Sequence, residues 1–410
     1  MAQASLGNST TQGAVPPFLT SPAAKRRAGV AVLLLLALLA TAYWLHNAPG
    51  YGAAASFSLL TGTAVGILFE RGRFCFYCIF RDYIEDKNSE GMFSVLAALA
   101  VGGLGYAVVF GAFLPNAASG RLPAGAHIGP VSWVLLLAGA VFGLGMALSG
   151  ACISGHLYRL GEGYGRAPFA LLGSLIGFGL GFYTWNGLYI SSIAQAPTPW
   201  LPAWVGYGGA LLLHLLLLAG LGWLFLRHLP PLPARSELVL TPRYLLNQLF
   251  GQRWNPLVTG GLVGLVGVLA YFRVEPLGVT AQLGSLSRTT LHGTGLLPER
   301  LNGLDALAGC ATQVAQAVMD NGWLIMGLVV GALAMALLAN RFKVSSVTAV
   351  NGTTAFLGGI LMGWGSMTAL GCTVGTLLSG ISAFALSGWL FGLAVFGGVW
   401  LGIRLQLHRH

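Results

Sequence analysis

Five cysteines hold most of the reactive potential of this 410-residue sequence: Cys75, Cys78, Cys152, Cys310 and Cys372. An odd number, placed in or beside apolar segments rather than in a cysteine-dense ectodomain, points to free thiols rather than a disulfide framework. Two of them share a frame. Sliding the chain against itself by 220 positions superposes Cys152 on Cys372, with Gly139 on Gly359, Gly143 on Gly363, Gly145 on Gly365, Gly155 on Gly375, Leu157 on Leu377 and Gly177 on Gly397. Chance supplies some glycine matches in a chain with 61 glycines, but a cysteine set in a shared Gly-x-Gly-x6-Cys-x2-Gly frame marks an internal repeat.

In the paired segments, Gly150 and Gly155 flank Cys152, while Gly371 and Gly375 flank Cys372, which Thr373 follows. Glycines around a cysteine at the end of an apolar span favour a broken helix whose freed amides face an anion. The plainer alternative is close packing, with small residues at a helix interface and cysteine as a buried small hydrophobe. A third segment, from Glu70 through Arg71, Arg73, Cys75 and Cys78 to Asp82, is charged and aromatic. Its Cys-x2-Cys spacing invites a metal or redox reading. However, no second cysteine pair exists, and helical spacing alone brings Cys78 beside Cys75. Arg71 and Arg73 also read as cytoplasmic anchors that snorkel to the interface. His156 lies one helical turn after Cys152, which suits either an activated thiol or an interfacial histidine. Cys310, in the Ala-rich stretch 306–314, has no repeat partner and reads as packing.

The elements that position these residues must be membrane helices. The composition is 55% hydrophobic with only 8% charged and a mean hydropathy of +0.75, against roughly 25% charged in a soluble domain. Apolar runs of about 20 residues span the hydrocarbon, and their continuous rather than alternating character predicts helices, not a barrel. Ten spans are predicted: 28–46, 54–70, 92–114, 131–149, 168–190, 203–226, 256–272, 322–340, 345–369 and 384–403. The first follows Lys25, Arg26 and Arg27 and, lacking a convincing cleavage site, reads as a retained helix rather than a signal peptide. With the N-terminus in the cytoplasm, 17 of the 21 Lys and Arg fall inside, leaving Arg121, Arg273, Arg288 and Arg300 outside, as the positive-inside rule requires. Both termini are then cytoplasmic. The net charge of +10 is explained by this topology, since the basic residues never form a block of the kind that binds nucleic acid.

The expected organisation is a tail and extra helix over 1–53, a first repeat plus linking helix over 54–226, a cytoplasmic loop over 227–255 and a second repeat over 256–410. One odd helix between two four-span halves inserts them with opposite orientation, the inverted-repeat plan of many transporters, with the substrate site at the repeat interface near mid-membrane.

At these residues the chain resembles the YeeE/YedE family of sulfur-compound transporters. The resemblance rests on Phe69-Glu70-Arg71 through Cys75 to Arg81-Asp82, on Gly150 through Cys152, His156 and Tyr158-Arg159 to Glu162-Gly163, and on Gly371-Cys372-Thr373-Val374-Gly375. It implies an all-α, hourglass-like permease at the bacterial inner membrane, with cysteine-bearing loops dipping toward a narrow centre. Thiosulfate would pass along the thiols of Cys75, Cys152 and Cys372, with Arg73, Gly150, Gly155, His156, Gly371, Thr373 and Gly375 in support. The chemistry fits, because a polarizable terminal sulfur accepts the weak S–H donor of a thiol. A thiol of ordinary pKa, roughly 8.5, is neutral at pH 7 and does not repel an anion. Weak neutral donors also let the ion leave. A cytoplasmic, TusA-like sulfur-carrier protein is a candidate partner. No catalytic residue, metal or cofactor is expected.

Three rivals stay open. One is a transporter of a selenium or other sulfur species; another is a membrane redox protein or enzyme using Cys75, Cys78 and His156; the third is a subunit that only anchors a sulfur carrier.

Overall fold

The computed structural model of the chain describes residues 21–230, 241–304, 314 and 317–409. The expected packing residue Cys310 lies outside the described residues. The described part of the chain is helical: α1 (Pro22–Asn47), α2 (Ala53–Gly72), α3 (Phe76–Asp86), α4 (Glu90–Phe113), α5 (Trp133–Ser149), α6 (Ile153–Glu162), α7 (Ala167–Ser191), α8 (Pro202–Leu226), α9 (Pro242–Phe250), α10 (Pro256–Arg273), α11 (Ala281–Leu291), α12 (Asp320–Leu338), α13 (Ala349–Thr368), α14 (Gly380–Ser382) and α15 (Leu386–Arg404). A π-helical turn, Thr373–Ser379, leads into α14.

Among the described residues nine helices are long and apolar enough to cross a membrane, or ten when α13 and the stretch Thr373–Ser382, bent by 45°, are taken as one broken span. These coincide with the ten expected spans. Large apolar side chains such as Val108, Phe113, Tyr183 and Leu393 are more than 60% exposed, a surface that only lipid would cover well. α1 lies against α2 and α12, and Arg27 donates to Asn340 Oδ1 at 2.7 Å.

Helix pairing has a regular pattern. α2 packs on α12 as α10 packs on α4, and α5 on α15 as α13 on α7. Likewise α3 lies on α4 and α15, while α11 lies on α12 and α7; α2 meets α10 and α5 meets α13. Exchanging α2, α3, α4, α5 and α7 for α10, α11, α12, α13 and α15 maps this set onto itself. Glycine makes the close crossings possible, as small residues do in lipid, where apolar burial no longer drives association. A β-carbon on Gly62 or Gly66 of α2 would lie 1.9 or 2.1 Å from the carbonyl oxygens of Leu324 and Leu328 on α12. The same atom on Gly260 or Gly264 of α10 would lie 1.9 or 2.4 Å from those of Ser94 and Ala98 on α4.

Candidate functional site

Each of the three cysteine-bearing breaks is built the same way. α2 ends at Gly72, Arg73 turns left-handed with φ of 50°, and Cys75, extended, stands at the N-cap of α3. α5 ends at Ser149, Gly150 is left-handed with φ of 82°, and extended Cys152 caps α6. α13 ends at Thr368, Leu370 is left-handed with φ of 58°, and extended Cys372 precedes the π-helical turn. A left-handed residue two positions before the cysteine reverses the chain, so the thiol sits where the next helix begins and its first amides have no acceptor within the helix. Only Gly150 adopts that conformation without a side-chain penalty.

The thiols are buried at 0% exposure for Cys75, Cys152 and Cys372, and 3% for Cys78. All four are free cysteines. Cys75 lies beside both Cys152 and Cys78. Cys152 Sγ accepts from the Gly155 amide at 3.3 Å and stands 3.2 Å from Ser154 Oγ. Gly155 leaves the space in which the first two thiols meet: a β-carbon there would lie 2.9 Å from Cys75 Sγ and 3.3 Å from Cys152 Sγ. Cys372 lies in the neighbourhood of Cys152, and its sulfur lies by the amides of Val374 and Gly375 and the side chain of Thr280.

Of the supporting residues, Gly150 and Gly155 shape the Cys152 break, and Gly371 lies against Thr376, whose Oγ1 a β-carbon would approach to 2.4 Å. Thr373 is buried, and its hydroxyl has no hydrogen-bond partner among the described residues. Arg73 contributes its backbone turn; its side chain is exposed. His156 is fully buried, with neither ring nitrogen hydrogen-bonded. The thiol–imidazole pair entertained from spacing does not form, because Cys152 is engaged by Ser154 and Gly155 instead.

Several participants escaped sequence reasoning. Arg159 donates to Cys78 Sγ at 2.8 Å and to the Gly150 carbonyl at 3.2 Å, tying the first break to the second and placing a guanidinium beside the thiols. The helical spacing of Cys152 and Arg159 was visible, but a contact 81 residues apart has no local signal. Arg71 does not snorkel. It is 0% exposed and donates to the carbonyls of Phe250, at 2.9 Å, and Gln252, while its Nε stands 3.6 Å from Glu70. Arg341 donates to Gly251 at 2.8 Å and lies 3.9 Å from the same carboxylate. The loop ahead of α10 is thus clamped by arginines from α2 and from the end of α12, because carbonyls freed by the end of α9 offer acceptors that an apolar interface does not. On the opposite face, in the connection from α4 to α5, burial pushes the His127 imidazole down to about 4, so this histidine adds no charge at neutral pH. Among the described residues no three His, Cys, Asp or Glu side chains are grouped to hold a metal ion.

Buried thiols at the breaks of discontinuous membrane helices, with helix-start amides and a guanidinium nearby, are the architecture of a membrane transport protein. The chain belongs to the sulphur-transport family, which it matches over residues 71–401. It is similar to the thiosulfate transporter TsuA of Escherichia coli K12, 28% identical over 83% of this chain and 92% of that protein. The thiosulfate transporter TsuA of Spirochaeta thermophila is 30% identical over 83% of this chain and 96% of its own length. A probable transporter of E. coli K12, YedE, is 35% identical over 21% of this chain. Two of these relatives are named as transporters and the third as a probable transporter.

Proposed function

We propose that this protein imports thiosulfate across the bacterial inner membrane, passing it from Cys372 to Cys152 to Cys75. The observation that carries this reading is the meeting of the Cys75 and Cys152 thiols over the bare α-carbon of Gly155, with Cys372 of the other half next in the series. The similarity to two thiosulfate transporters along most of the chain supports the substrate. Each thiol offers a weak donor to a terminal sulfur, while Arg159 and the amides after each break favour negative charge. Adjacent weak sites let the ion step onward rather than stay.

The halves 54–226 and 256–410 act in this proposal as inverted repeats around an hourglass-shaped centre, joined by the 227–255 loop. The exchange pattern of helix partners supports that plan. It carries an expected result: a reporter active only in the periplasm, fused after His410, stays dark, and the same reporter in the α4–α5 connection lights up. A bright C-terminal fusion would overturn the cytoplasmic placement of both termini.

The test of the relay is uptake of radiolabelled thiosulfate by cells carrying single Cys→Ala variants. Cys75→Ala, Cys152→Ala and Cys372→Ala are expected to lose most uptake at normal expression, as are Cys152→Ser and Cys372→Ser. Unchanged uptake in all three alanine variants would end the relay.

A further inference from the structure

The exchange of halves that maps α2 and α3 onto α10 and α11 also places a residue opposite Cys75. Cys75 is the N-cap of α3, and Thr280 is the N-cap of α11. The two positions have matching neighbourhoods. As Cys75 lies within reach of Cys152, so Thr280 lies beside Cys372, the residue that the repeat pairs with Cys152. Thr280 is 0% exposed, yet its hydroxyl has no hydrogen bond of regular geometry to any described residue. The group its hydroxyl faces is the Cys372 sulfur, a weak acceptor, so a ligand oxygen that accepts its proton would be the stronger partner.

We infer that Thr280 is a substrate-positioning residue of the outer station, where its hydroxyl donates to an oxygen of the anion whose terminal sulfur meets the Cys372 thiol. This rests on the transport reading above and adds a division of labour to it. The inner station joins two thiols, both soft donors suited to sulfur. The outer one joins a thiol to a hydroxyl, a harder and stronger donor suited to oxygen, and so addresses both ends of an ion that carries one terminal sulfur and three oxygens. The hydroxyl of Thr373, next to Cys372, is buried and also has no hydrogen-bond partner among the described residues, which gives the ion a second hydroxyl on that side.

Variants at Thr280 separate a hydrogen-bonding role from a packing role. Valine keeps the shape and removes the donor; serine keeps the donor and removes a methyl group. The full-length protein and its variants are reconstituted in liposomes, and initial rates of labelled thiosulfate uptake are measured against concentration. Thr280→Val is expected to raise KM by about tenfold or more, Thr280→Ser to stay within about twofold of the native protein, and Thr280→Cys to fall between. If Thr280→Val does not yield folded protein, Thr280→Ala and Thr280→Ser, which only delete atoms, carry the same comparison, with the rise in KM confined to alanine. A series ordered by side-chain volume, with valine native-like and serine impaired, overturns the inference, as does a KM unchanged in valine and alanine alike. Failure of the native protein to carry thiosulfate at all would instead overturn the reading on which the inference rests.

Discussion

Gly155→Ala is expected to lower thiosulfate uptake by about a hundredfold while leaving the protein folded. The added methyl group would lie 2.9 Å from Cys75 Sγ, 3.1 Å from Ala151 Cβ and 3.3 Å from Cys152 Sγ, so it wedges apart the two thiols between which the proposed relay passes the ion. Displacement of a reacting constellation by about 1 Å commonly costs that much. Helix propensity works the other way. Alanine in a helix is favoured over glycine by about 1 kcal/mol, so α6 itself loses nothing, and it is the thiols pressed by the new methyl group that must move. Gly220→Ala in α8 is the control, since a β-carbon there meets nothing within 4 Å. It is expected to leave uptake unchanged and raise thermal stability slightly. Normal uptake by Gly155→Ala, measured beside that control and at equal expression, would show that the Cys75–Cys152 contact is not on the path.

The same geometry shows why parts of the site were legible and others were not. Span positions could be read because the apolar requirement of the bilayer acts locally, on about 20 residues at a time. The Cys152 and Cys372 breaks were readable through one offset of 220 positions, since the elements from α5 to α7 and from α13 to α15 are evenly spaced. That offset fails for the first break. The connection from α2 to α3 covers only 73–75, whereas that from α10 to α11 covers 274–280, so no single sliding alignment brings Thr280 opposite Cys75. The left-handed turns were equally hidden. Gly150 announces one, but Arg73 and Leu370 are ordinary helix residues whose φ of 50° and 58° is imposed by the packing around them. The burial of Arg71 could not be read because it depends on carbonyls at 250 and 252, roughly 180 residues away in sequence.

Reconstituted protein is expected to equilibrate labelled thiosulfate across liposomes but not to concentrate it under a pH gradient, acid outside, unless an acceptor that consumes the ion is enclosed. Thiosulfate carries two negative charges, and a bacterial cytoplasm is electrically negative. At about 2.3 kcal/mol per charge per 100 mV, inward movement of a dianion opposes roughly 4.6 kcal/mol, equivalent to more than about three decades of concentration. Something must supply that work. The sequence contains no Gly-x4-Gly-Lys-Ser/Thr phosphate loop through which nucleotide hydrolysis would act. Proton cotransport would need an acid on the path. Among the described residues the one buried acid is Glu70, and it lies within 4 Å of Arg71 and Arg341, the two arginines that clamp the loop ahead of α10. Its place in that clamp is structural. Under the proposed import, removal of the ion on the cytoplasmic side, by a TusA-like sulfur carrier or an enzyme that cleaves the sulfur–sulfur bond, would hold the inner concentration low enough for inward flow. Liposomes enclosing such a carrier and its reductant should accumulate label many-fold over empty ones, with loss of the effect in Cys75→Ala. Several-fold accumulation in empty liposomes under the pH gradient alone would overturn this account, and Glu70, Asp82 and Glu162 would be the acids to replace next.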